Sequence, residues 1–206
     1  MFRGSAGMDE IALFPLRAVL LPGGRIPLQI FEPRYLDMVT RCMKGEIAFG
    51  IVRITEGHEV ILSQGTRPPA ISEIGTLAGI VDWDGLPAGR LRITVEGGRR
   101  FRVGACREQA DHLLLAEVEW LADAEPHPVD AGYAHLAEIM AGLAEHPALA
   151  RLGVQPHPRD AAELAYQLAQ YLPLDESDRY AVLAGSEPME GLAFLDRIVK
   201  ELGGGP

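Results

Sequence analysis

The chain has 206 residues, 48% hydrophobic and 23% charged, enough to bury one large core or two small ones and too apolar to be disordered as a whole. Its formal net charge of −10 argues against a general binder of nucleic acid or anionic membrane, because both need cationic surface. No apolar run approaches the roughly 18 residues of a membrane span, residues 1–10 hold no secretory core, and Cys42 and Cys106 form no motif, so a cytoplasmic protein with two free buried thiols is expected.

The first ordered block runs Leu13-Phe14-Pro15-Leu16, Leu20-Leu21-Pro22-Gly23, then Ile26-Pro27-Leu28-Gln29-Ile30-Phe31-Glu32-Pro33-Arg34-Tyr35. It reads as an apolar strand ending at a Pro-Gly-Gly turn and a second strand that Pro27 suits to a sheet edge. A helix then starts at Pro33, where the missing N–H is harmless, and Glu32 puts a carboxylate near the positive helix end. Ile47 to Ile54 and Gly75 to Val81 read as more buried strands. Leu91, Ile93 and Val95 alternate with Arg92, Thr94 and Glu96, and Phe101 and Val103 alternate with Arg100 and Arg102, the period of half-buried strands. Leu114, Ala116, Val118 and Trp120 form one face of another. Asp84-Gly85, Pro87-Ala88-Gly89 and Gly97-Gly98 are the turn signals between them. Many short strands with Gly and Pro turns predict a closed or strongly curled sheet.

The acidic, Pro-containing stretch Ala122 to Asp130 is a natural boundary, after which the period becomes helical. Val129, Tyr133, Leu136, Met140 and Leu143 follow 3–4 spacing, and His146-Pro147 ends that helix. Asp160 and Glu163 form a capping-box-like pair ahead of Leu164 and Leu168, and Pro173 stops that segment. Asp175 or Ser177 caps a short helix through Tyr180 and Leu183. Ser186 precedes a last helix carrying Leu192, Leu195, Ile198, Val199 and Leu202.

Chemistry-bearing motifs are sparse. No G-x-x-x-x-G-K-[ST] phosphate loop, G-x-S-x-G elbow or H-E-x-x-H occurs, and the six histidines are scattered, so no cofactor or metal is expected. Asp82/Asp84 and Glu117/Glu119 sit at strand or turn spacing and read as solvated pairs rather than catalytic ones. The cluster Arg90, Arg92, Arg99, Arg100, Arg102 and Arg107 is interrupted by Glu96 and Glu108 and reads first as strand faces paired with acids, and next as a surface for an anionic peptide.

The opening block, the series Gly75-Thr76-Leu77-Ala78, Pro87 to Gly97 and Arg99 to Val103, and Leu172-Pro173-Leu174 between helices together resemble the Lon protease N-terminal (substrate-binding) domain family, and more closely the bacterial proteins made of that domain alone. The resemblance runs from about Ile11 to Leu202. It implies an α+β fold, with a PUA-like β-barrel over 11–122 and a helical region over 128–202 that together form one domain. It also implies a non-catalytic module that recognises unfolded or damaged polypeptide or a partner protein, because neither the ATPase nor the Ser/Lys protease module is present. Such recognition uses an apolar groove with a few polar anchors, or a sheet edge that accepts a strand. Phe31, Glu32, Arg34, Tyr35, Trp83 and Phe101 are the expected contact residues, chosen by chemistry and placement because the family supplies no fixed catalytic set to transfer. Two other readings stay open: a small-molecule or enzymatic pocket between barrel and helices, with Trp83 and Trp120 as candidate cage aromatics, and RNA binding through the PUA-like barrel's arginine strands.

Overall fold

A computed structural model describes residues 9–57, 68–154, 158 and 160–203; His58, His157, residues 1–8 and the side chain of Leu202 lie outside the described residues. In chain order the elements are β1 (Asp9–Leu16), β2 (Arg25–Ile30), α1 (Pro33–Met43), β3 (Phe49–Glu56), β4 (Ala70–Leu86), β5 (Arg90–Glu108), β6 (Leu114–Trp120), α2 (Ala134–Ala144), α3 (Pro147–Arg151), α4 (Ala161–Tyr171), α5 (Glu176–Ala184) and α6 (Pro188–Gly203). Apart from α1, strands therefore fill the first part of the chain and helices the second, as in an α+β fold.

The six strands form one mixed sheet in the order β2-β5-β4-β3-β1-β6, and β6 also pairs with β5. β1 is parallel to β3 and antiparallel to β6. The β5–β6 pairing brings β1, β3, β4, β5 and β6 into a ring, with β2 attached outside it. The sheet is closed, as the turn signals predict, but as a five-stranded ring with an arm rather than a clean barrel. Register shifts interrupt β3–β4 near Ile54, β4–β5 near Leu77 and Val81, and β5–β6 between Val103 and Cys106. Each such irregularity bends its strand, and the ends of β4 and β5 leave the ring to form a three-stranded arm with β2.

Gly97-Gly98 is not a turn. β5 runs through it for 19 residues because β4 continues alongside, and Asp84-Gly85 likewise lies inside β4; of the three turn signals Pro87–Gly89 is the hairpin, where Ala88 has φ 63°. β1 also stops at Leu16, short of the Pro-Gly-Gly turn. Val19, Leu20 and Leu21 form a buried strap between sheet and helices.

Helix starts follow the capping chemistry. Pro33 opens α1, as expected. Asp160 Oδ1 accepts the Glu163 N–H at 2.9 Å to cap α4. Asp175 caps α5 by accepting the Asp178 and Ser177 N–H groups at 2.9 and 3.0 Å, which with the Ser177 hydroxyl lower its pKa. α1 packs Tyr35, Met38 and Val39 against Ile93, Val95 and Phe49 on one face of the sheet. Leu164, Ala165 and Leu168 of α4 centre a second core with Leu136, Met140, Leu192 and Leu195. Ile11, Leu13, Val52, Phe101 and Val118 fill a third, within the ring.

Polar side chains of the helices and of β4 hold the strap. The Gln170 amide oxygen accepts the Leu21 N–H at 2.8 Å and its NH2 reaches the Val19 carbonyl at 3.4 Å; Glu176 accepts the Val19 N–H at 2.8 Å, and Thr76 donates to the Leu20 carbonyl at 2.6 Å. Gln170→Leu keeps the volume but leaves the Leu21 N–H buried without its acceptor, so it lowers the unfolding free energy by about 1–3 kcal/mol. Urea denaturation measures this, and an unchanged midpoint would show that the strap is held by packing alone.

Candidate functional site

The arm carries the site. Leu28 of β2 and Trp83 of β4 both pair with Ile93 of β5, which places the three side chains on one face. Ile93 is fully buried under α1, whereas Trp83, at the sheet edge, is 57% exposed. Met43 at the end of α1 and Val81 of β4 are each 46% exposed. These three line a groove of about 640 Å³ floored by Ile47, Phe49, Ala78 and Ile80. Its charged lining residues are Asp82 and Glu96, both acidic. Large apolar side chains gathered at one exposed depression are the usual mark of an interaction surface.

The groove runs along an open sheet edge. β3 pairs with β4 only between Ala70 and Ala78, so among the described strands Gly79–Leu86 has β5 on one side and nothing on the other.

The expected contact residues divide between this groove and another place. Phe31, Glu32 and Tyr35 come together at a shallow pocket of about 80 Å³ with Phe14, Pro15 and Gln29. Phe31 is 53% exposed there. Tyr35 is buried against Phe14, ring centroids 4.1 Å apart, and is a core residue. Arg34 bridges to Glu32 at 2.8 Å, donates to the His112 carbonyl at 2.9 Å and stacks on Tyr35, which explains why Glu32 makes no side-chain cap. Trp83 belongs to the groove. Phe101 is a correction: it is fully buried inside the ring, where β5 lies between β4 and β6, and presents no surface to a ligand. Met43 and Val81 were not legible as contact residues; the one available signal is that Met43 closes α1 just after its buried stripe.

Between sheet and helices lies an open cleft of about 800 Å³ lined by Pro22, Arg99, Asp123, Glu163 and Tyr166 among others. It contains neither tryptophan: Trp120 packs edge-on against Phe101 at 6.0 Å and donates to Asp9 at 2.7 Å. The two tryptophans therefore do not converge as a cage. Burial raises the Tyr166 pKa, Arg100 pulling against it.

The arginines disperse. Arg100 is buried and donates to the Leu183 and Gly185 carbonyls, Arg102 faces Glu73 and Glu119, and Arg107 pairs with Glu10 at 2.7 Å. Asp82/Asp84 and Glu117/Glu119 are exposed pairs. Among the described residues no group of three or more His, Cys, Asp or Glu side chains is gathered as metal ligands are. No described helix is long and apolar enough to cross a membrane.

Cys42 lines the groove half-buried, whereas Cys106 is exposed at the β5–β6 irregularity, where partial burial still raises its pKa, so Cys42 is the better shielded of the two thiols. Burial pushes the Cys42 thiol up to about 11, opposed by Arg41. Only the thiolate reacts, so iodoacetamide at mildly alkaline pH should modify Cys106 well before Cys42. Mass spectrometry over time checks this, and faster loss of Cys42 would contradict its placement.

Residues 10–201 match the family model described as the ATP-dependent protease La (LON) substrate-binding domain. The Lon proteases of Erwinia amylovora and Escherichia coli K12 are 26% and 25% identical over 199 residues, covering 90% of this chain and 24% of each of theirs. The chain thus spans about a quarter of the length of these curated relatives. The crystal structure of a Lon N-terminal domain protein from Xanthomonas campestris superposes with a TM-score of 0.66 at 29% identity, covering 97% of this chain and 100% of that one. The N-terminal domain of Mycobacterium avium complex Lon protease shares the fold, with a TM-score of 0.60 at 17% identity over 92% of this chain and 97% of that one.

Proposed function

The chain belongs to the family of ATP-dependent protease La (LON) substrate-binding domains, and from that membership we propose that it binds unfolded or damaged polypeptide without turning it over, as a recognition module or adaptor in protein quality control. The observation that carries this reading is the groove where Met43, Val81 and Trp83 stand exposed beside an open strand edge. A folded client hides its apolar side chains and strand edges, whereas an unfolded one offers both, so a groove of this kind selects for the unfolded state. Catalysis has no comparable support: the sequence contains neither a phosphate loop nor a nucleophile elbow.

Fluorescence anisotropy with one labelled model substrate in unfolded and folded form tests the reading, with gels run with and without ATP. Selective binding of the unfolded form with intact substrate is the expected result; equal binding of both forms, or cleavage that survives repurification, would refute it. Trp83→Ala should leave stability within about 0.5 kcal/mol, because the side chain is mostly exposed. It should weaken binding about 10-fold or more, as loss of a central aromatic anchor does. An unchanged affinity would remove the groove from the mechanism.

A further inference from the structure

We infer that the open edge of β4, Gly79–Leu86, takes up an extended segment of alternating apolar and basic residues as an added strand. This rests on the polypeptide-binding reading and specifies how that binding occurs and for which sequences.

Two strands of the sheet present a free long edge in the arm. β2 carries Pro27 in its middle, which has no N–H to offer a partner. The β4 edge contains no proline from Gly79 to Leu86. It also has the apolar groove directly beside it, with Trp83 and Val81 on the strand and Met43 across from them.

The side chains along this edge then set the pattern of the guest. Trp83 points to the face shared with Ile93, so Asp82 and Asp84 point to the other face. An added strand has the same alternation. One set of its side chains lies beside Trp83 and the groove, and the other beside Asp82 and Asp84. The first set must be apolar. The second is best basic, since opposite charges in neighbouring positions are favourable and like charges are not. Glu96 is held by Arg25 at 2.6 Å and Asp84 stands opposite Arg92 of β5, so Asp82, opposite Thr94 at the border of the groove, is the rim acid with no cation directly across from it.

The same two acids tell against a second copy of this chain as the occupant. Pairing two β4 edges would set Asp82 and Asp84 against their own counterparts, in a protein of net charge −10. The irregularity at Val81 and the acidic edge are the devices by which proteins suppress indiscriminate strand pairing. Here they leave pairing open to a guest of opposite charge.

The test uses the full chain and a short fluorescein-labelled peptide that alternates valine with lysine, with one valine replaced by phenylalanine. Two isomers carry N-methyl groups on every other residue, one on the valine positions and one on the lysine positions. A strand added to an edge uses only alternate N–H groups, so one isomer should bind like the parent and the other should lose about 10-fold or more. Equal affinities of the two isomers, whether both strong or both weak, would overturn strand addition. A valine–glutamate peptide should bind at least about 10-fold more weakly than the lysine parent, and Asp82→Asn with Asp84→Asn should narrow that gap; a gap that is absent or unmoved would overturn the charge rule. Val81→Pro supplies a variant on the protein side, expected to abolish peptide binding with the fold retained by circular dichroism; the isomer pair decides the matter if that variant does not fold. Binding of an unfolded protein is measured in parallel. If it binds while the lysine parent does not, strand addition at this edge is wrong and the recognition reading stands; if neither binds, the recognition reading itself has failed.

Discussion

Alanine at position 101 should lower the unfolding free energy by about 3–5 kcal/mol, the range for emptying a buried aromatic site. The Phe101 ring occupies a space that two glycines reserve. A Cβ at Gly50 would come within 2.4 Å of the ring, and one at Gly75 within 2.6 Å. β3 and β4 thus approach the ring with bare backbone, and bare backbone cannot lean in to refill the volume once the ring is gone. Trp120 loses its edge-on partner at the same time, at 6.0 Å and 84°. Phe101→Leu restores part of the volume and should cost clearly less. Chemical denaturation of the three proteins decides this, and a Phe101→Ala loss below about 1 kcal/mol would mean that the ring site collapses freely, contrary to the glycine packing. Peptide affinity of the folded fraction should not change, because the ring is fully buried and does not line the groove.

Gly97→Ala should be comparably damaging, costing about 3 kcal/mol or more, the upper end of the range for overpacking. Its added Cβ would meet the Leu21 carbonyl oxygen at 2.1 Å. That oxygen belongs to the backbone, which no side-chain rotation can clear. Gly97 is also tied to the strap end, accepting the Gly23 N–H at 2.8 Å and donating to the Gly24 carbonyl at 2.9 Å. The methyl group therefore has to prise the strap from β5 and break both bonds. Gly98→Ala, whose Cβ would meet nothing closer than 3.5 Å, is the control and should be tolerated. Thermal unfolding of the pair checks the contrast; similar melting temperatures would show that the strap yields.

The order of elements was legible because it is written in local chemistry. Pro33, Asp160 and Asp175 mark helix starts by what they do to the first backbone N–H groups, and the alternation from Leu91 to Val95 marks a strand by its two faces. What was not legible depends on how strands meet. Alternation says that Phe101 and Arg100 point to opposite faces of β5, not that both faces are covered. Arg100 looks like a solvated arginine in the sequence, yet it is buried because the end of α5 offers it the Leu183 and Gly185 carbonyls, more than eighty positions downstream. Gly97-Gly98 has the composition of a turn, but its glycines serve the close passage of a strap. Gly50 and Gly75 are the missed clue to Phe101, since glycine inside an apolar strand often marks the approach of something bulky. For the groove, Trp83 was legible as an aromatic near a hairpin, while Met43 and Val81 gain meaning only when the end of α1 is laid beside β4.

The place of β1 in the ring has a consequence for how the molecule is made. Its eight residues are the earliest of the sheet to be synthesised, and they lie between β3 and β6. Asp9 is paired with Val118 and Leu13 with Leu114, so one flank of the first strand stays open until the last strand has left the ribosome. Until then the nascent chain holds out an apolar segment, Ile11 to Phe14, with one edge unpaired, for about a hundred residues of synthesis, several seconds at ordinary translation rates. Contacts so distant in sequence also make the final closure slow. A protein proposed to bind unfolded polypeptide is thus, during its own synthesis, a chain of the kind it would bind.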